Sequence, residues 1–386
     1  MTNFAKGKNL TTQTDVVCFS HLRWDFVYQR PQHLMSRFAR KGRVFFVEEA
    51  LPGYGPPSID VSKRGKNIFV CVPSIPPGYN TAPLGEVMPR LIANLRAEHE
   101  IENNITWFYT PMMLKWSKLL HPAAVIYDCM DELSNFKNAP AELCERERRL
   151  FDKADLVFTG GQSLYEAKRE QHPEVYAFPS SIDKDHFGRA REIQEDIAEQ
   201  AALAHPRIGF VGVIDERFDI PLLASIADLK SEWNFVMVGP VVKIDQNDLP
   251  RRPNIHYLGQ KAYEELPSVL AGWDVAMMPF ALNDSTRFIS PTKTPEFLAA
   301  GLPVVSTPIT DVIRPYGEQG LVRIASTPKQ FVHAIELALE EDQEKRQAAV
   351  DEFLADFSWD KTFAAISGLI EDAIAKREKV RVAVTV

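Results

Sequence analysis

The sequence predicts an α/β protein made of two Rossmann-like, doubly wound parallel-sheet domains that face each other across a cleft. Three observations support this fold class. The chain has 386 residues, short apolar runs rich in β-branched residues alternate with helix-length amphipathic stretches, and this alternation is interrupted once. A chain of this length suits two domains of roughly 150–200 residues each. Strands that are apolar throughout, with helices between them, indicate parallel sheets covered on both faces.

Thirteen apolar runs predict strands, seven in the first half of the chain and six in the second. They are Val16–Phe19, Val44–Val47, Ile68–Val72, Thr106–Tyr109, Val125–Tyr127, Leu156–Thr159, Val175–Phe178, Ile208–Val211, Phe235–Val238, Ile255–Leu258, Val275–Met278, Val304–Ser306 and Leu321–Ile324. The polar segment between Asp183 and Pro206 interrupts the alternation, and the tail Ser358–Lys379 is helical with no strand after it. We therefore predict a first domain over residues 1–187, a linker over 188–206, a second domain over 207–357 and a C-terminal helix over 358–386.

Composition argues against several classes of protein. With 45% hydrophobic and 25% charged residues, the chain resembles an ordinary globular protein. The four cysteines show neither CxxC nor Cys/His spacing, which argues against a structural zinc ion. The first 15 residues, MTNFAKGKNLTTQTD, lack the apolar core of a secretory signal, and no stretch reaches the roughly 18 apolar residues that span a bilayer. We therefore expect a cytoplasmic protein.

Charge is distributed unevenly along the chain, whose net charge is −8. Residues 1–190 carry 24 Lys and Arg against 22 Asp and Glu, a net of +2, and the remainder carries 20 against 30, a net of −10. An acidic chain argues against nucleic acid as a partner. The nearly neutral first half allows weak peripheral association with an anionic membrane, but a net charge of +2 is too small to show it, and an ordinary solvated surface is the better explanation.

The segment Ser290–Gly301, SPTKTPEFLAAG, has the features of a helix start that binds an anion. The Ser-Pro pair at 290–291 and the Thr-Pro pair at 294–295 each suit the N-cap and first helical position. In either register, free backbone N–H groups and the positive end of the helix dipole lie beside Lys293 and favour a phosphate group. Glu296 can accept hydrogen bonds from a ribose diol, or it can simply complement the helix dipole while Lys293 remains solvated.

Several motifs in order along the chain resemble those of one enzyme family. They are Glu296-Phe-Leu-Ala-Ala-Gly301, Asn254–Leu266, Trp273–Pro279, Tyr176–Asp183 with Phe187, and Phe357-Ser-Trp359. Together they resemble the retaining glycosyltransferases of the GT-B fold, family 4-like and group 1, of the bacterial surface-polysaccharide type. In that family the Glu-x-x-Ala-x-Gly helix binds the nucleotide sugar, a strand–Gly–loop–helix unit receives the base, and the C-terminal helix returns to the first domain.

The resemblance implies GT-B architecture and transfer of a sugar from a nucleoside-diphosphate sugar, UDP- or GDP-linked, to a hydroxyl of a glycan or lipid-linked acceptor. It implies retention of configuration and no cofactor besides the donor substrate. We find no Asp-x-Asp metal signature in a suitable loop. Our donor-binding candidates are Glu296, Lys293, Thr292, Ser290, Arg217 and Gln260.

The sequence departs from the family pattern at two places in the donor half. Phe288 stands where many members have a first glutamate, and the Arg–Lys pair after the first strand of the second domain is missing. Arg217 is the nearest cation to that strand end. Lys243 is a weaker candidate, better explained as a surface lysine.

The loop after the first strand, His21–His33, has an unusual density of aromatic and polar residues. Functional residues concentrate in such loops at strand ends. We expect Trp24 and Tyr28 to stack on a sugar, and His21, Arg23 and Arg30 to bind a hydroxyl or phosphate group. The alternative is that the two rings plug the cleft and the arginines form surface pairs. Arg23, Trp24, Tyr28 and Arg30 are our acceptor-site candidates.

A third cluster follows the strand Val125–Tyr127 and contains Asp128, Asp131 and Glu132. A partly desolvated aspartate there can take the proton of the acceptor hydroxyl. Asp131 or Glu132 can instead cap a following turn. Our candidate catalytic residues are Asp128, Asp131 and His21. The nearby segment 146–149 is predicted to be a solvated helix face.

Two other functions remain compatible with the residues. They are a sugar-nucleotide epimerase on the same fold and a non-catalytic sugar-nucleotide-binding protein. A dehydrogenase is disfavoured, because neither domain has Gly-x-Gly-x-x-Gly between its first strand and helix.

Overall fold

The computed structural model describes residues 14–79 and 81–385 of the chain. Most of the N-terminal segment for which we predict no secretory signal, residues 1–13, lies outside this range. Among the described helices, none is long and apolar enough to cross a membrane. The described residues form two sheets with helices on both faces, which confirms the predicted α/β class.

The first sheet has nine strands. They are β1 (Asp15–Phe19), β2 (Val44–Val47), β3 (Leu51–Pro52), β4 (Ser58–Lys63), β5 (Ile68–Ile75), β6 (Asn104–Phe108), β7 (Ala124–Cys129), β8 (Leu156–Thr159) and β9 (Val175–Ala177). Their order is β3-β5-β2-β1-β6-β7-β8-β9, all parallel, and β4 pairs with β5 in the antiparallel sense. The helices of this half are α1 (Arg30–Phe38), α2 (Thr81–Glu98), α3 (Leu143–Phe151), α4 (Gln162–Lys168) and α5 (Lys184–Gly188).

The second sheet has six parallel strands in the order β12-β11-β10-β13-β14-β15. They are β10 (Arg207–Val211), β11 (Asn234–Val238), β12 (Ile255–Gly259), β13 (Val275–Met278), β14 (Val304–Ser306) and β15 (Val322–Ile324). The remaining helices are α6 (Ile220–Leu229), α7 (Leu266–Ala271), α8 (Lys293–Ala299), α9 (Thr310–Val312), α10 (Pro328–Leu339), α11 (Gln343–Leu354) and α12 (Trp359–Thr385). The strand order reverses beside β10, where such sheets form a crevice for ligands.

Buried apolar residues fill both faces of each sheet. Helices α2, α3 and α4 cover one face of the first sheet, with Met88, Leu150 and Leu164 in that core. Helix α1 covers the other face together with α12, which contributes Trp359 and Ile366. The C-terminal helix therefore packs on the first domain although it follows the second in the chain.

Segment 146–149 corrects one sequence interpretation. Its arginines are at least partly exposed, but Glu147 is 7% exposed and lies inside the first domain. The Glu147 carboxylate accepts hydrogen bonds from the Tyr127 hydroxyl at 2.7 Å and from Lys168 Nζ at 2.8 Å. A buried carboxylate needs such partners, and both come from elements distant in sequence.

Candidate active site in the cleft

Two adjacent cavities lie between the carboxyl ends of the two sheets. The larger has a volume of about 510 Å³ and the smaller about 150 Å³. Both domains supply residues that line both cavities. These are Val27, Tyr28, Val211, Gly212, Val213 and Lys293. The loops after β1 and β10 thus form the common wall, as expected where parallel strands of two open sheets end.

Helix α8 begins at Lys293, between the two helix starts that the Ser-Pro and Thr-Pro pairs predicted. Lys293 lines both cavities, and its Nζ lies 2.5 Å from Glu296 Oε2. Glu296 is only 6% exposed and lies behind Lys293, outside the lining of both cavities. Burial raises the pKa of Glu296, and the Lys293 ammonium opposes this rise.

The other donor-site candidates divide between the two cavities. Ser290, Thr292 and Arg217 line the smaller cavity, and Gln260 lines the larger. The Arg217 guanidinium is held by Asp215, with Nη2 2.7 Å from Oδ2. Because a pre-oriented guanidinium loses little freedom on binding an anion, this arrangement suits a phosphate site.

Asp131 lines the smaller cavity, as do Arg217 and Lys293. Burial raises its pKa to about 6, with Arg217 opposing the rise and Asp215 adding to it. Within the described part of the chain, its carboxylate accepts no hydrogen bond. A carboxylate with a pKa just below neutrality and free lone pairs in a cavity is suited to general-base chemistry.

The structure corrects the roles predicted for Asp128 and Arg30. Asp128 is fully buried and Arg30 is 1% exposed. Arg30 Nε lies 3.0 Å from each carboxylate oxygen of Asp128, and Arg30 Nη1 donates to the Phe178 carbonyl at 2.6 Å. Neither side chain lines either cavity, and both are occupied by buried partners. The pair links the start of α1 to the end of β7 and thereby stabilises the first-domain side of the cleft.

His21 and Arg23 also lie outside the lining of both cavities. Burial lowers the pKa of His21 to about 4, so its imidazole is neutral near pH 7. Arg23 Nη1 lies 2.7 Å from Glu48 Oε2, and the Trp24 amide donates to Glu48 Oε1 at 2.8 Å. Glu48 therefore organises the loop after β1, and Arg23 is part of that support rather than a ligand contact in this arrangement.

The aromatic candidates Trp24 and Tyr28 do reach the cleft. Trp24 lines the larger cavity and packs edge-on against Phe46, with ring centroids 5.1 Å apart. Tyr28 lines both cavities, and its ring lies 4.5 Å from that of Tyr263 in the second domain. The Gln260 side chain also donates across the cleft to the Phe26 carbonyl. The loop after β1 is therefore a wall of the larger cavity and a contact between the domains.

Sequence reasoning missed two residues that shape the cleft. Phe136 follows β7, and its ring lies 5.4 Å from the Arg217 guanidinium and 5.1 Å from Lys243 Nζ. Asp311, only 5% exposed, accepts a hydrogen bond from the Ser163 amide at 3.0 Å across the domain interface. For Phe136, the sequence offered a clue, because an aromatic residue follows closely after the acidic pair Asp131-Glu132. For Asp311, the sequence offered no clue, because its hydrogen-bond partner Ser163 is 148 residues away in sequence.

Solved structures with the same two-domain architecture define the class of fold as GT-B. A UDP-forming alpha,alpha-trehalose-phosphate synthase from Burkholderia xenovorans superposes with a TM-score of 0.69 at 12% identity, covering 94% of this chain and 99% of that one. A sucrose-phosphate synthase from Thermosynechococcus elongatus gives a TM-score of 0.69 at 14% identity, covering 94% and 100%.

Comparison of the sequence with known proteins gives one family and one curated relative. Residues 205–341 match the family described as "Glycosyl transferases group 1". The chain is 26% identical over 220 residues to the putative teichuronic acid biosynthesis glycosyltransferase TuaH of Bacillus subtilis strain 168, covering 52% of this chain and 54% of that protein. The match thus spans about half the length of this curated relative. The predicted resemblance to group 1 glycosyltransferases of the GT-B fold is confirmed.

Proposed function

We propose that this protein is a glycosyltransferase that moves a sugar from a nucleoside-diphosphate sugar to a hydroxyl of a glycan or lipid-linked acceptor. The observation that carries the proposal is the smaller cavity between the domains. Asp131 of the first domain lines it together with Arg217 and Lys293 of the second. A general base and two cations that line one cavity suit a reaction in which an acceptor hydroxyl replaces the diphosphate on a sugar carbon.

We place the donor across the two cavities. The nucleoside occupies the larger cavity beside Gln260 and Tyr263, and the diphosphate lies at the common wall beside Lys293. The transferred sugar then occupies the smaller cavity. UDP is our first candidate for the nucleotide and GDP the second, since a neighbour of the same fold is named as UDP-forming.

In the reaction, the bond between the anomeric carbon and the diphosphate oxygen breaks, and a bond to the acceptor oxygen forms. Asp131 takes the acceptor proton. Lys293 and Arg217 stabilise the charge that grows on the departing diphosphate, a contribution on the order of 10²–10³ in rate for one well-placed donor. We propose that the acceptor oxygen attacks from the face on which the diphosphate departs, so that the anomeric configuration is retained, and that these cations act without a divalent metal.

We place the reaction in the cytoplasm, in the synthesis of a surface polysaccharide, with weak peripheral membrane association. The name of the Bacillus relative supports the polysaccharide, and the net charge of +2 over residues 1–190 is compatible with the association.

The test is a transfer assay with purified protein, a panel of UDP- and GDP-sugars and a panel of acceptors. We expect release of nucleoside diphosphate that depends on the acceptor and is at least about a hundredfold slower in Asp131→Asn, whereas Asp372→Asn, at an exposed position in α12, matches the wild type. Tight donor binding without acceptor-dependent release across the panel would contradict the proposal and favour a binding protein. Isomerised donor sugar without acceptor would indicate an epimerase.

A further inference from the structure

A third cavity lies on the outer side of the first domain, among α2, α3 and the 3-10 helix Pro111–Ser117. Its volume is about 470 Å³. Five of its eight lining residues are cationic, Lys115, Lys118, Arg146, Arg149 and Lys153, and one, Asp152, is acidic. The cavities of the cleft share none of these lining residues.

The cations of this groove are only partly neutralised. Arg146 Nη2 lies 3.3 Å from Glu142 Oε1, and Arg149 is paired with Glu145. Lys115, Lys118 and Lys153 are exposed and form no ion pair within residues 14–79 and 81–385. The groove therefore has five cations and three nearby carboxylates, which leaves an excess of two positive charges. The carboxylates are those of Glu142, Glu145 and Asp152.

Local structure concentrates these charges on one side. Lys115 and Lys118 are three residues apart at a 3-10 helix, so their side chains project in the same direction. Arg146 and Arg149 are three apart on α3, with Lys153 four residues further on. Like charges at such spacings repel each other, and a bound anion removes that cost.

One member of the groove is already oriented for binding. Arg146 has a side chain 20% exposed, and its Nη1 donates to the Met112 carbonyl at 2.7 Å. An arginine fixed in this way forms charge-assisted hydrogen bonds to phosphate with little loss of freedom. Gly85 of α2 lines the same cavity, and a Cβ there would meet no atom within 4 Å, so the groove is open on that side.

We propose that this groove is a second anion site that binds phosphate groups, separate from the cleft and independent of the proposed sugar transfer. A phosphate ester or pyrophosphate matches the excess charge, the concave shape and the arginine geometry. The same chemistry is offered by the headgroups of an anionic membrane and by soluble phosphate compounds.

The first test is lysine acetylation of the full-length protein, read by mass spectrometry, with each source as a separate probe. The probes are inorganic pyrophosphate, phosphatidylcholine vesicles, and the same vesicles with phosphatidylglycerol added. We expect slower modification of Lys115, Lys118 and Lys153 with pyrophosphate or with the anionic vesicles. The exposed lysines Lys66, Lys329 and Lys345 serve as internal controls. Protection by pyrophosphate identifies a soluble ligand, and protection by anionic vesicles alone identifies a lipid headgroup.

The second test uses variants. The triple variant Lys115→Glu/Lys118→Glu/Lys153→Glu should bind the protecting probe at least about tenfold more weakly, and its binding should depend less on salt. Gly85→Tyr fills the groove without changing its charge and should also weaken binding, which a diffuse charge effect would not predict. The matched control is Lys66→Glu/Lys329→Glu/Lys345→Glu.

Absence of protection by every probe, or an equal loss in the control triple variant, would overturn the proposal. Sugar transfer to a soluble acceptor, measured on the same variants, should be unchanged. A failure of the groove is thereby separable from a failure of the proposed activity in the cleft.

Discussion

Asp131 is the residue on which the proposed chemistry depends most. Because its pKa is raised to about 6, it is ionised at neutral pH and can accept a proton. We expect kcat of Asp131→Asn to fall by about 10²–10⁴, the usual contribution of a general base, with little change in donor KM. In the wild type, kcat/KM, which reports ionisation in the free enzyme, should decline below about pH 6, and a pH profile of kcat/KM for the donor checks this. A decline that persists unchanged in a residually active Asp131→Asn enzyme would assign the titration to another group.

The Asp131 carboxylate should also lower the free energy of unfolding at neutral pH. Its folded-state pKa lies above the value of an unfolded aspartate, so the folded protein binds more protons between about pH 4 and 6 and loses stability as the pH rises through that window. Asp131 is partly exposed in the cavity, which limits the effect, and we expect Asp131→Asn to raise the free energy of unfolding at pH 7 by about 1–2 kcal/mol. The gain should vanish at pH 4. Urea denaturation at both pH values measures it, and equal stability at pH 7 would show that the carboxylate is well solvated.

Lys293 and Glu296 form one unit in the structure, which refines the predicted role of Glu296. Since Lys293 lines both cavities and Glu296 lies behind it, we expect Lys293→Met to weaken nucleoside-diphosphate binding more than Glu296→Ala does. Loss of a charge-assisted contact corresponds to about tenfold or more in Kd. Titration calorimetry with both single variants and the double variant measures their coupling. If Glu296→Ala alone abolishes binding while Lys293→Met does not, Glu296 contacts the ribose directly.

At this scale, the sequence located the site better than it assigned the roles. Polar residues at strand ends predicted the cleft, and Asp131 and Tyr28 do line it. Asp128, three residues away from Asp131, is instead buried against Arg30, 98 residues distant. Which aspartate faces a cavity depends on tertiary partners, and no local pattern in the sequence records them.

Among the elements, helix α4 is tied to both α3 and the loop after β7 by buried charges. Lys168 Nζ lies 2.7 Å from Glu132 and 2.8 Å from Glu147, and all three side chains are at most 13% exposed. Burial alone would lower the pKa of Lys168, but the surrounding negative groups raise it overall. We expect Lys168→Met to cost about 3–5 kcal/mol in the free energy of unfolding, because it leaves two buried carboxylates unpaired. Denaturant unfolding measures the loss.

The control for this prediction is Lys66→Met, at an exposed position. The loss in Lys168→Met should shrink as the pH falls, since protonation neutralises the two carboxylates. A loss that is the same at pH 5 and pH 8 would indicate that the packing of the lysine stem, rather than its charge, stabilises this region.

The helices and strands that the sequence predicts differ from those it misses in how deeply their residues are buried. All thirteen predicted strands are present, because buried parallel strands are apolar throughout. Strand β4 was missed, since its residues are only partly buried and it lies antiparallel at the side of β5. Helix α11 was also missed. Most of its residues are exposed, so its apolar periodicity is weak, and only Val350 and Leu354 are buried apolar residues in it.

At the scale of the whole molecule, helix α12 follows the second domain in the chain and packs into the core of the first. Ile366 and Ile370 of this helix are at most 2% exposed in the core of the first domain. We expect Ile366→Ala to lower the free energy of unfolding by about 2–5 kcal/mol, as for other large-to-small changes in a core. Thermal unfolding measures it, with Ala373→Gly, further along the helix, as a control expected to cost about 1 kcal/mol or less.

Closure of the cleft depends on a close approach at Gly161, at the turn between β8 and α4. A Cβ at this position would come within 2.7 Å of Ser290 Cβ and closer still to the Asp311 carboxylate, both in the second domain. Gly161→Ala should therefore push the domains apart and separate Asp131 from Lys293. Because misplacement by about 1 Å can cost 10²-fold in rate, we expect kcat/KM to fall at least tenfold.

Small-angle X-ray scattering of Gly161→Ala should show a larger radius of gyration than that of the wild type. Gly188→Ala, where a Cβ meets no atom within 4 Å, is the matched control. Wild-type kinetics in Gly161→Ala would mean that transfer does not require this closed arrangement of the domains.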